Sequence, residues 1–295
     1  MKVTVIGSGT MGNGIAHTFA QFANQVSLVD ISEEALEKGL EMIRKNLNRQ
    51  LKKGTITEAE KTAILSRINT FTDLQAAVAE AELVIEAATE NPQIKLDLFK
   101  KLDAICSGST VLASNTSSIS ITLLASATKR PDKVIGMHFM NPVPLMKLVE
   151  VIRGKATSDA TTQMVMKTAI TLDKTPVVVN DAPGFVANRI LMPMINEAVY
   201  ALYERVAGVE EIDTVMKLGM AHPMGPLQLA DYIGLDICLA ILKVMEEGLN
   251  NPKYSPCPLL TTMIQDGHKG IKTGIGFYDY TGSGNQAVIA SRFRE

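Results

Sequence analysis

The first thirty residues admit few folds. Lys2 to Ile6 is an alternating, β-branched run that reads as a strand. It passes without a spacer into Gly7-Ser-Gly9-Thr10-Met11-Gly12 and then into the helical spacing Ile15, Phe19, Phe22. Strand, glycine turn and helix in that order open a βαβ unit in which each glycine has its own duty. Gly7 permits the tight turn, Gly9 lets the backbone approach a pyrophosphate, and Gly12 lets the helix pack closely on the strand. Thr10 and Met11 lie at the helix N-terminus, whose unpaired N–H groups and partial positive charge suit phosphate oxygens. A second strand, Gln25 to Val29, ends in Asp30, 18 positions after Gly12. That is close to the spacing of about 20 expected of the acid that binds a ribose 2′-hydroxyl. The cofactor implied is NAD (NADH). NADP fits less well, because the Asp30 carboxylate repels a 2′-phosphate.

Alternation of strand and helix patterns continues as far as residue 180, which predicts an α/β, Rossmann-type doubly wound, mostly parallel sheet. After Asp30 the crossover runs as a helix from about Glu33 to Lys53, a stop at Gly54, and a second helix opened by a Thr57-x-x-Glu60 capping box. Arg49, Lys52 and Lys53 gather at the end of the first of these helices. Cations there either complement the helix dipole on a solvated face or form an anion site. The apolar run Leu83 to Glu86 is the next buried strand, and a helix from about Gln93 to Ile105 carries Lys95. Glu90 and Lys95 are expected at the strand-to-helix edge beside the far half of the cofactor. Another strand, Thr110 to Ala113, leads to Asn115-Thr116-Ser117-Ser118, whose hydroxyls either cap the next helix or face the crevice.

Lys133 to Glu150 offers one imidazole, one amide and one carboxylate beside an apolar run. Val134 to Met137 reads as a buried parallel strand, so His138 emerges at the sheet edge where open α/β sheets bind ligands. Pro142 and Pro144 forbid a helix, and Met146 to Ile152 reads as a returning strand carrying Glu150. Adjacent strands could set Glu150 against His138. Taken alone, His138 between Met137 and Phe139 reads first as a satisfied core histidine. The hydride carrier implied at the same edge favours a role in chemistry. Oxidising a secondary alcohol needs a base with a pKa near the working pH, and a carboxylate on the other ring nitrogen fixes the imidazole tautomer.

Asn180-Asp-Ala-Pro-Gly184 marks the expected boundary between residues 1–183 and residues 184–295. Downstream the pattern is helical only, with helices at Phe185 to Tyr203, Val209 to Leu218 and Leu235 to Leu249. Pro193 is expected to kink the first of them. Such a segregated half commonly closes over a ligand cleft and supplies dimer contacts. Asn188 is a polar residue on an otherwise apolar helix. His17, His222 and His268 lack companion ligands at metal spacing, so no metal is expected, and Ile289 onward shows no pattern and reads as a weakly ordered tail. With 29 basic against 31 acidic residues and a net charge of -2, no global field favours nucleic acid or an anionic membrane. The three cysteines are far apart, which fits a reducing cytoplasm, and no run of about 18 or more apolar residues suggests a membrane span.

Four motifs in order, Gly7-x-Gly9-x-Met11-Gly12-x-Gly14, Asn115-Thr-Ser-Ser118, Gly136-Met-His-Phe-Met-Asn-Pro-Val-Pro144 and His222-Pro-Met-Gly-Pro-Leu227, resemble those of the 3-hydroxyacyl-CoA dehydrogenases. Among these the chain is most like the free-standing bacterial 3-hydroxybutyryl-CoA dehydrogenases, over about residues 1 to 282. The resemblance implies an NAD-binding domain and a helical dimerisation domain. It further implies interconversion of a (3S)-3-hydroxyacyl-CoA with its 3-oxoacyl-CoA in fatty-acid or butyrate metabolism. By matching motif, His138 is the base and Glu150 its orienting partner. Ser117, Asn141 and Asn188 hold the substrate and the nicotinamide end, and Lys272, Glu90 and Lys95 contact the cofactor. Arg49, Lys52 and Lys53 lie where relatives contact coenzyme A. Ala221 stands where many relatives carry a polar residue, and residues 282–295 have no counterpart. A dehydrogenase of a small CoA-free hydroxy acid, or a scaffold that binds NADH without turnover, would share the glycine turn and Asp30.

Overall fold

The computed structural model describes residues 1–282 and 288–294. The chain divides into two compact units, Met1–Ala182 and Pro183–Glu295. In the first, β1 (Lys2–Ile6), α1 (Thr10–Gln21) and β2 (Gln25–Val29) are followed by α2 (Glu33–Lys52), α3 (Glu58–Ser66), β3 (Ile68–Phe71) and α4 (Leu74–Val78). Then come β4 (Leu83–Glu86), α5 (Pro92–Ile105), β5 (Val111–Ser114), α6 (Ile121–Ser126), β6 (Val134–Phe139), β7 (Leu148–Arg153), α7 (Asp159–Thr171) and β8 (Thr175–Asn180).

The eight strands form one sheet in the order β3-β2-β1-β4-β5-β6-β7-β8. The order reverses at β1, whose neighbours β2 and β4 are both parallel to it. Such a switch point opens a crevice beyond the carboxyl ends of the strands. Every neighbouring pair is parallel except β6 with β7. Helices cover both faces, so the strands read as unbroken apolar runs, and Val5, Leu28, Ile85, Ala113, Ile135 and Val151 are all buried. From α1, Ile15 and Phe19 pack into this core, and Phe19 meets the ring of Phe139 edge-on at 6.5 Å. Each such large side chain contributes roughly 1.5–3 kcal/mol on burial. Helix α2 starts at Ser32, whose hydroxyl accepts the Ala35 N–H, and buries Leu36, Gly39, Ile43 and Leu47 on one face. A Cβ at Gly39 would lie 2.9 Å from the Ser8 carbonyl oxygen, so this glycine lets α2 close against the glycine turn.

The second unit contains α8 (Ala187–Tyr203), α9 (Val209–Thr214) running into a π-helical turn, α10 (Pro226–Ile233), α11 (Leu235–Leu249), α12 (Pro258–Gln265), β9 (Tyr278–Asp279) and β10 (Val288–Ile289). Two buried aspartates organise it. Asp213 accepts the N–H groups of Leu227 and Gln228 and the Tyr278 hydroxyl, which caps α10 from another helix. Asp231 accepts the N–H groups of Phe277 and Tyr278 and the Tyr280 hydroxyl, and so ties the C-terminal ribbon to α10. A Cβ at Gly276 would lie 1.8 Å from Asp231 Oδ1, which leaves room for no other residue there.

Several expectations change. The second unit is helical but not only helical, because β9 and β10 pair antiparallel. Ile289 onward is not a patternless tail. Ala290 is buried, and Phe293 packs on Phe277 with ring centroids 5.9 Å apart. Residues 283–287, which precede that segment, and its last residue, Glu295, lie outside the described residues. The expected helix start at Phe185 moves to Ala187, because Phe185 has a left-handed φ of 48°. The returning strand begins at Leu148, after the turn that follows Pro142, and not at Met146. Strand β3, helix α4 and the proline-led helices α10 and α12 add to what the residue pattern shows.

His17 on α1 is fully buried, and both ring nitrogens lack a hydrogen-bond partner among the described residues. Burial pushes its pKa down to about 4. The unfolded chain takes up that proton near 6.5, so the folded state is penalised as pH falls from about 6.5 to about 4, by at most about 3 kcal/mol. We expect urea titrations at pH 7 and pH 4.5 to show a steeper stability loss in the wild type than in His17→Leu. Parallel losses in the two proteins would contradict this account of His17.

Candidate active site

The carboxyl ends of β1, β2, β4, β5 and β6 converge on one sheet edge, and the candidate residues of the first unit follow from that. After β1, Gly7 has φ 96°, and a Cβ there would lie 2.6 Å from the Ala87 carbonyl oxygen. A Cβ on Gly12 would lie 1.7 Å from the Gly7 carbonyl oxygen, so helix and turn touch backbone to backbone. A Cβ on Gly9 would meet nothing within 4 Å. Thr10 is exposed, Met11 is half-buried, and α1 begins without a side-chain cap, so its first turn presents uncapped N–H groups to this open space. At the end of β2, Asp30 Oδ2 accepts the Ser8 N–H and hydroxyl, both at 2.7 Å, and Oδ1 accepts the Ile31 N–H at 2.8 Å. The glycine turn and the acid are thereby held as one piece. These residues fit a dinucleotide, with open space over Gly9, an uncapped helix end and an anchored carboxylate.

His138 and Glu150 face each other across the antiparallel pair β6–β7. Directly opposed residues on such a pair project to the same side of the sheet, which is why their side chains meet. His138 Nδ1 lies 2.8 Å from Glu150 Oε2, and both side chains are buried. The turn that allows the reversal runs from Asn141 through a cis Asn141–Pro142 peptide. It is held from behind by Lys174, a buried lysine whose ammonium donates to the carbonyls of Val143 at 2.6 Å and Met146 at 2.7 Å. Burial lowers the Lys174 pKa, and Lys147 nearby adds to the effect. Asn141 itself is exposed on the turn.

Beside His138, the Asn115 amide oxygen accepts the Phe139 N–H at 2.9 Å and ties the end of β5 to the end of β6. Ser117 lies in the next turn, gathered by Glu90. Glu90 Oε1 accepts the Thr116 hydroxyl at 2.5 Å, the N–H groups of Ser117 and Ser118 at 3.0 and 3.1 Å, and the Ser118 hydroxyl at 2.9 Å. Partial burial opposes ionisation of Glu90, but the Lys95 ammonium and these donors outweigh it and hold its pKa below the usual range. Lys95, expected at the strand-to-helix edge, has a side chain 1% exposed, with its ammonium 2.5 Å from Glu86 Oε1 and 3.3 Å from Glu90 Oε2. The hydroxyl that caps α6 is that of Ser120, which leaves Ser117 and Ser118 for Glu90.

Arg49, Lys52 and Lys53 are exposed at the last turn of α2, away from any carboxylate partner among the described residues. Asn188 and Lys272 belong to the second unit. Asn188 sits in the first turn of α8, and Lys272 is ion-paired with Asp236 at the start of α11. No group of three or more metal-ligating side chains occurs among the described residues.

Residues 2–182 match the family model of the 3-hydroxyacyl-CoA dehydrogenase NAD binding domain, and residues 184–280 match that of the C-terminal domain. The chain belongs to the 3-hydroxyacyl-CoA dehydrogenase family. A probable 3-hydroxybutyryl-CoA dehydrogenase of Bacillus subtilis is 54% identical over 279 residues, covering 95% of this chain and 97% of that protein. The mitochondrial hydroxyacyl-coenzyme A dehydrogenase of Homo sapiens is 45% identical over 287 residues, covering 94% of this chain and 90% of that one. A crystal structure of (S)-3-hydroxybutyryl-CoA dehydrogenase from Ralstonia eutropha superposes with a TM-score of 0.92 at 49% identity, covering 95% of this chain and 99% of that chain. For a member of this family, the glycine turn and Asp30 lie within the NAD binding domain, and so do His138 and Glu150.

Residue spacing alone left Glu86 and Lys174 without a role. Both carried a signal. Glu86 is a charge at the end of the apolar strand Leu83-Val-Ile, and Lys174 is a cation immediately before the strand Thr175–Asn180.

Proposed function

We propose that this dehydrogenase interconverts (3S)-3-hydroxybutyryl-CoA, and short-chain (3S)-3-hydroxyacyl-CoA thioesters generally, with acetoacetyl-CoA and its homologues. Its setting is short-chain fatty-acid or butyrate metabolism. The observation that supports this reading most directly is the 2.8 Å His138–Glu150 pair at the sheet edge toward which the dinucleotide turn opens. Bound NAD supplies the hydride acceptor, and Asp30 favours it over NADP.

The protein's own groups handle the proton. A Nδ1–H donated to Glu150 puts the imidazole lone pair on Nε2, the atom that takes the alcohol proton as the carbonyl forms. The carboxylate stabilises the imidazolium that results, by the same logic that a buried acid serves a catalytic histidine elsewhere. In the reverse direction Nε2–H returns the proton to the ketone oxygen. The Ser117 hydroxyl and, by motif position, the Asn188 amide stabilise the charge developing on that oxygen. Glycine-turn residues Gly7 to Gly12 and Asp30 hold the dinucleotide. Glu90 with Lys95 behind it, Asn115, Asn141 and Lys272 complete the cofactor-binding set. Arg49, Lys52 and Lys53 form the anion site for coenzyme A, which their exposure at a helix end, with no acidic partner among the described residues, supports. Exposed apolar side chains on the second unit, among them Ile190, Val206 and Leu218, support assembly as a homodimer. Three buried, unbonded thiols are in keeping with a cytoplasmic protein.

The deciding measurement is NADH oxidation with acetoacetyl-CoA, free acetoacetate and longer 3-oxoacyl-CoA thioesters, repeated with NADPH. Turnover of free acetoacetate as fast as of its thioester would turn the assignment toward a CoA-free hydroxy acid. His138→Gln is expected to bind NADH nearly as the wild type does while turnover drops at least ~10²-fold, and full activity in that variant would remove His138 as the base. For Glu150→Gln we expect a lower turnover with an altered pH–rate profile; a superimposable profile would count against the imidazole–carboxylate pair. Arg49, Lys52 and Lys53 changed together to Ala should raise KM for acetoacetyl-CoA more than KM for NADH, and equal effects would return the cluster to a solvated helix face.

A further inference from the structure

Glu86 is a fully buried carboxylate at the carboxyl end of β4, in register with Ile6 of β1 and Ser114 of β5. Removing a carboxylate and an ammonium from water is unfavourable unless their lone pairs and protons all find partners. Here the partners run in one direction, toward the Ser117 turn. Glu86 accepts the Ala88 N–H at 2.7 Å, the Ser114 hydroxyl at 2.6 Å and the Lys95 ammonium at 2.5 Å. The same ammonium reaches Glu90 Oε2, while Glu90 Oε1 collects the donors of Thr116, Ser117 and Ser118. Two carboxylates thus share one buried cation. The outer one is 38% exposed and the inner one is not exposed at all, so the inner carboxylate decides where the cation sits.

We infer that Glu86 is a positioning residue for the reaction: through Lys95 it orients the Glu90 carboxylate, and through Glu90 it sets the Ser117 turn. A second path, from Glu86 to the Ser114 hydroxyl, which also accepts the Thr116 N–H at 3.1 Å, reaches the same turn from within. The influence of Glu86 on the Ser117 turn travels through these intervening groups. The catalytic consequence rests on the functional reading above, whereas the structural one does not.

The test has two arms. Amide hydrogen exchange, followed by mass spectrometry without any ligand, compares the wild type with Glu86→Gln, which keeps the side-chain size and removes the charge. Exchange over residues 115–119 is expected to rise at least about tenfold while that over β2 is unchanged. In the second arm a double-mutant cycle on kcat/KM for acetoacetyl-CoA combines Glu86→Gln with Ser117→Ala. Distant independent sites add to within about twofold, and we expect the Ser117→Ala loss in the Glu86→Gln background to shrink at least about fivefold. If Glu86→Gln does not fold, Lys95→Met removes the middle link and carries the same two expectations. Unchanged exchange at residues 115–119, or an additive cycle, overturns the assignment. A wild type inactive on every 3-oxoacyl-CoA would overturn the functional reading instead, and the exchange comparison would still decide the role of Glu86.

Discussion

The antiparallel pairing of β6 with β7 is the constraint on which the candidate site depends, because it sets the His138 and Glu150 side chains against each other from one face of the sheet. Each earlier strand runs parallel to its neighbours, and a parallel connection returns the chain only after a crossover helix. Between Phe139 and Leu148 the chain instead turns back at once. Parallel strands deliver their ends, and therefore their loops, to a single edge. The reversal places Glu150 opposite His138 at that edge, with a register fixed by Gly136 opposite Ile152 and Phe139 opposite Val149. A one-residue slip would send Glu150 to the other face. The buried runs Val149-Glu-Val-Ile152 and Val134–Phe139 make that slip unfavourable, since it would invert every apolar contact along both strands.

A histidine and a glutamate so placed need support, and most of it comes from main-chain groups. Asn115 holds the Phe139 N–H, and Lys174 holds two carbonyls of the return turn. Both use the one strong interaction that a turn offers, its unpaired backbone N–H and C=O groups. Lys174 accepts the desolvation of an ammonium to do so, and that burial, with Lys147 nearby, lowers its pKa. The glycine turn is built on the same plan. Gly7 and Gly12 bring backbone against backbone, and Ser8 is held to Asp30 by two hydrogen bonds, so the turn owes little to side-chain packing.

Much of this was legible in the residues because local chemistry and global fold agree there. The strand, glycine turn and helix from Lys2 to Gln21, the capping box at Thr57, and the Gly54 stop are each announced by residue types within a few positions of one another. The pairing of His138 with Glu150 was foreseeable because prolines at 142 and 144 exclude a helix between two apolar runs. Strand β3 was not legible. Ile-Asn-Thr-Phe is an edge strand with one buried residue, and its existence rests on β2 supplying hydrogen bonds. The ribbon of β9 and β10 was hidden for a related reason. It is held by Asp231, which lies 46 positions from Phe277, and nothing in the local pattern announces that a carboxylate on α10 will accept those N–H groups. Glu86 and Lys95 were both visible as charges, but their being buried together follows only from β4 lying between β1 and β5.

That burial bears on why the central strands can be so apolar and still end in polar chemistry. Parallel strands covered by helices on both faces have no solvated side on which to keep a charge. Polar groups must therefore emerge at strand ends, and the first ones met on leaving the sheet are the least exposed. Ser114 and Glu86 occupy that position, already fully buried, whereas Glu90 and Ser117, farther along, reach the surface in part. An ordering from buried to exposed is thus imposed on any charges at this edge. The inner members are restrained by the sheet, and the outer members are restrained by the inner ones. A site arranged in this way keeps its polar groups in place before any ligand binds, which is the physical requirement for electrostatic stabilisation without reorganisation.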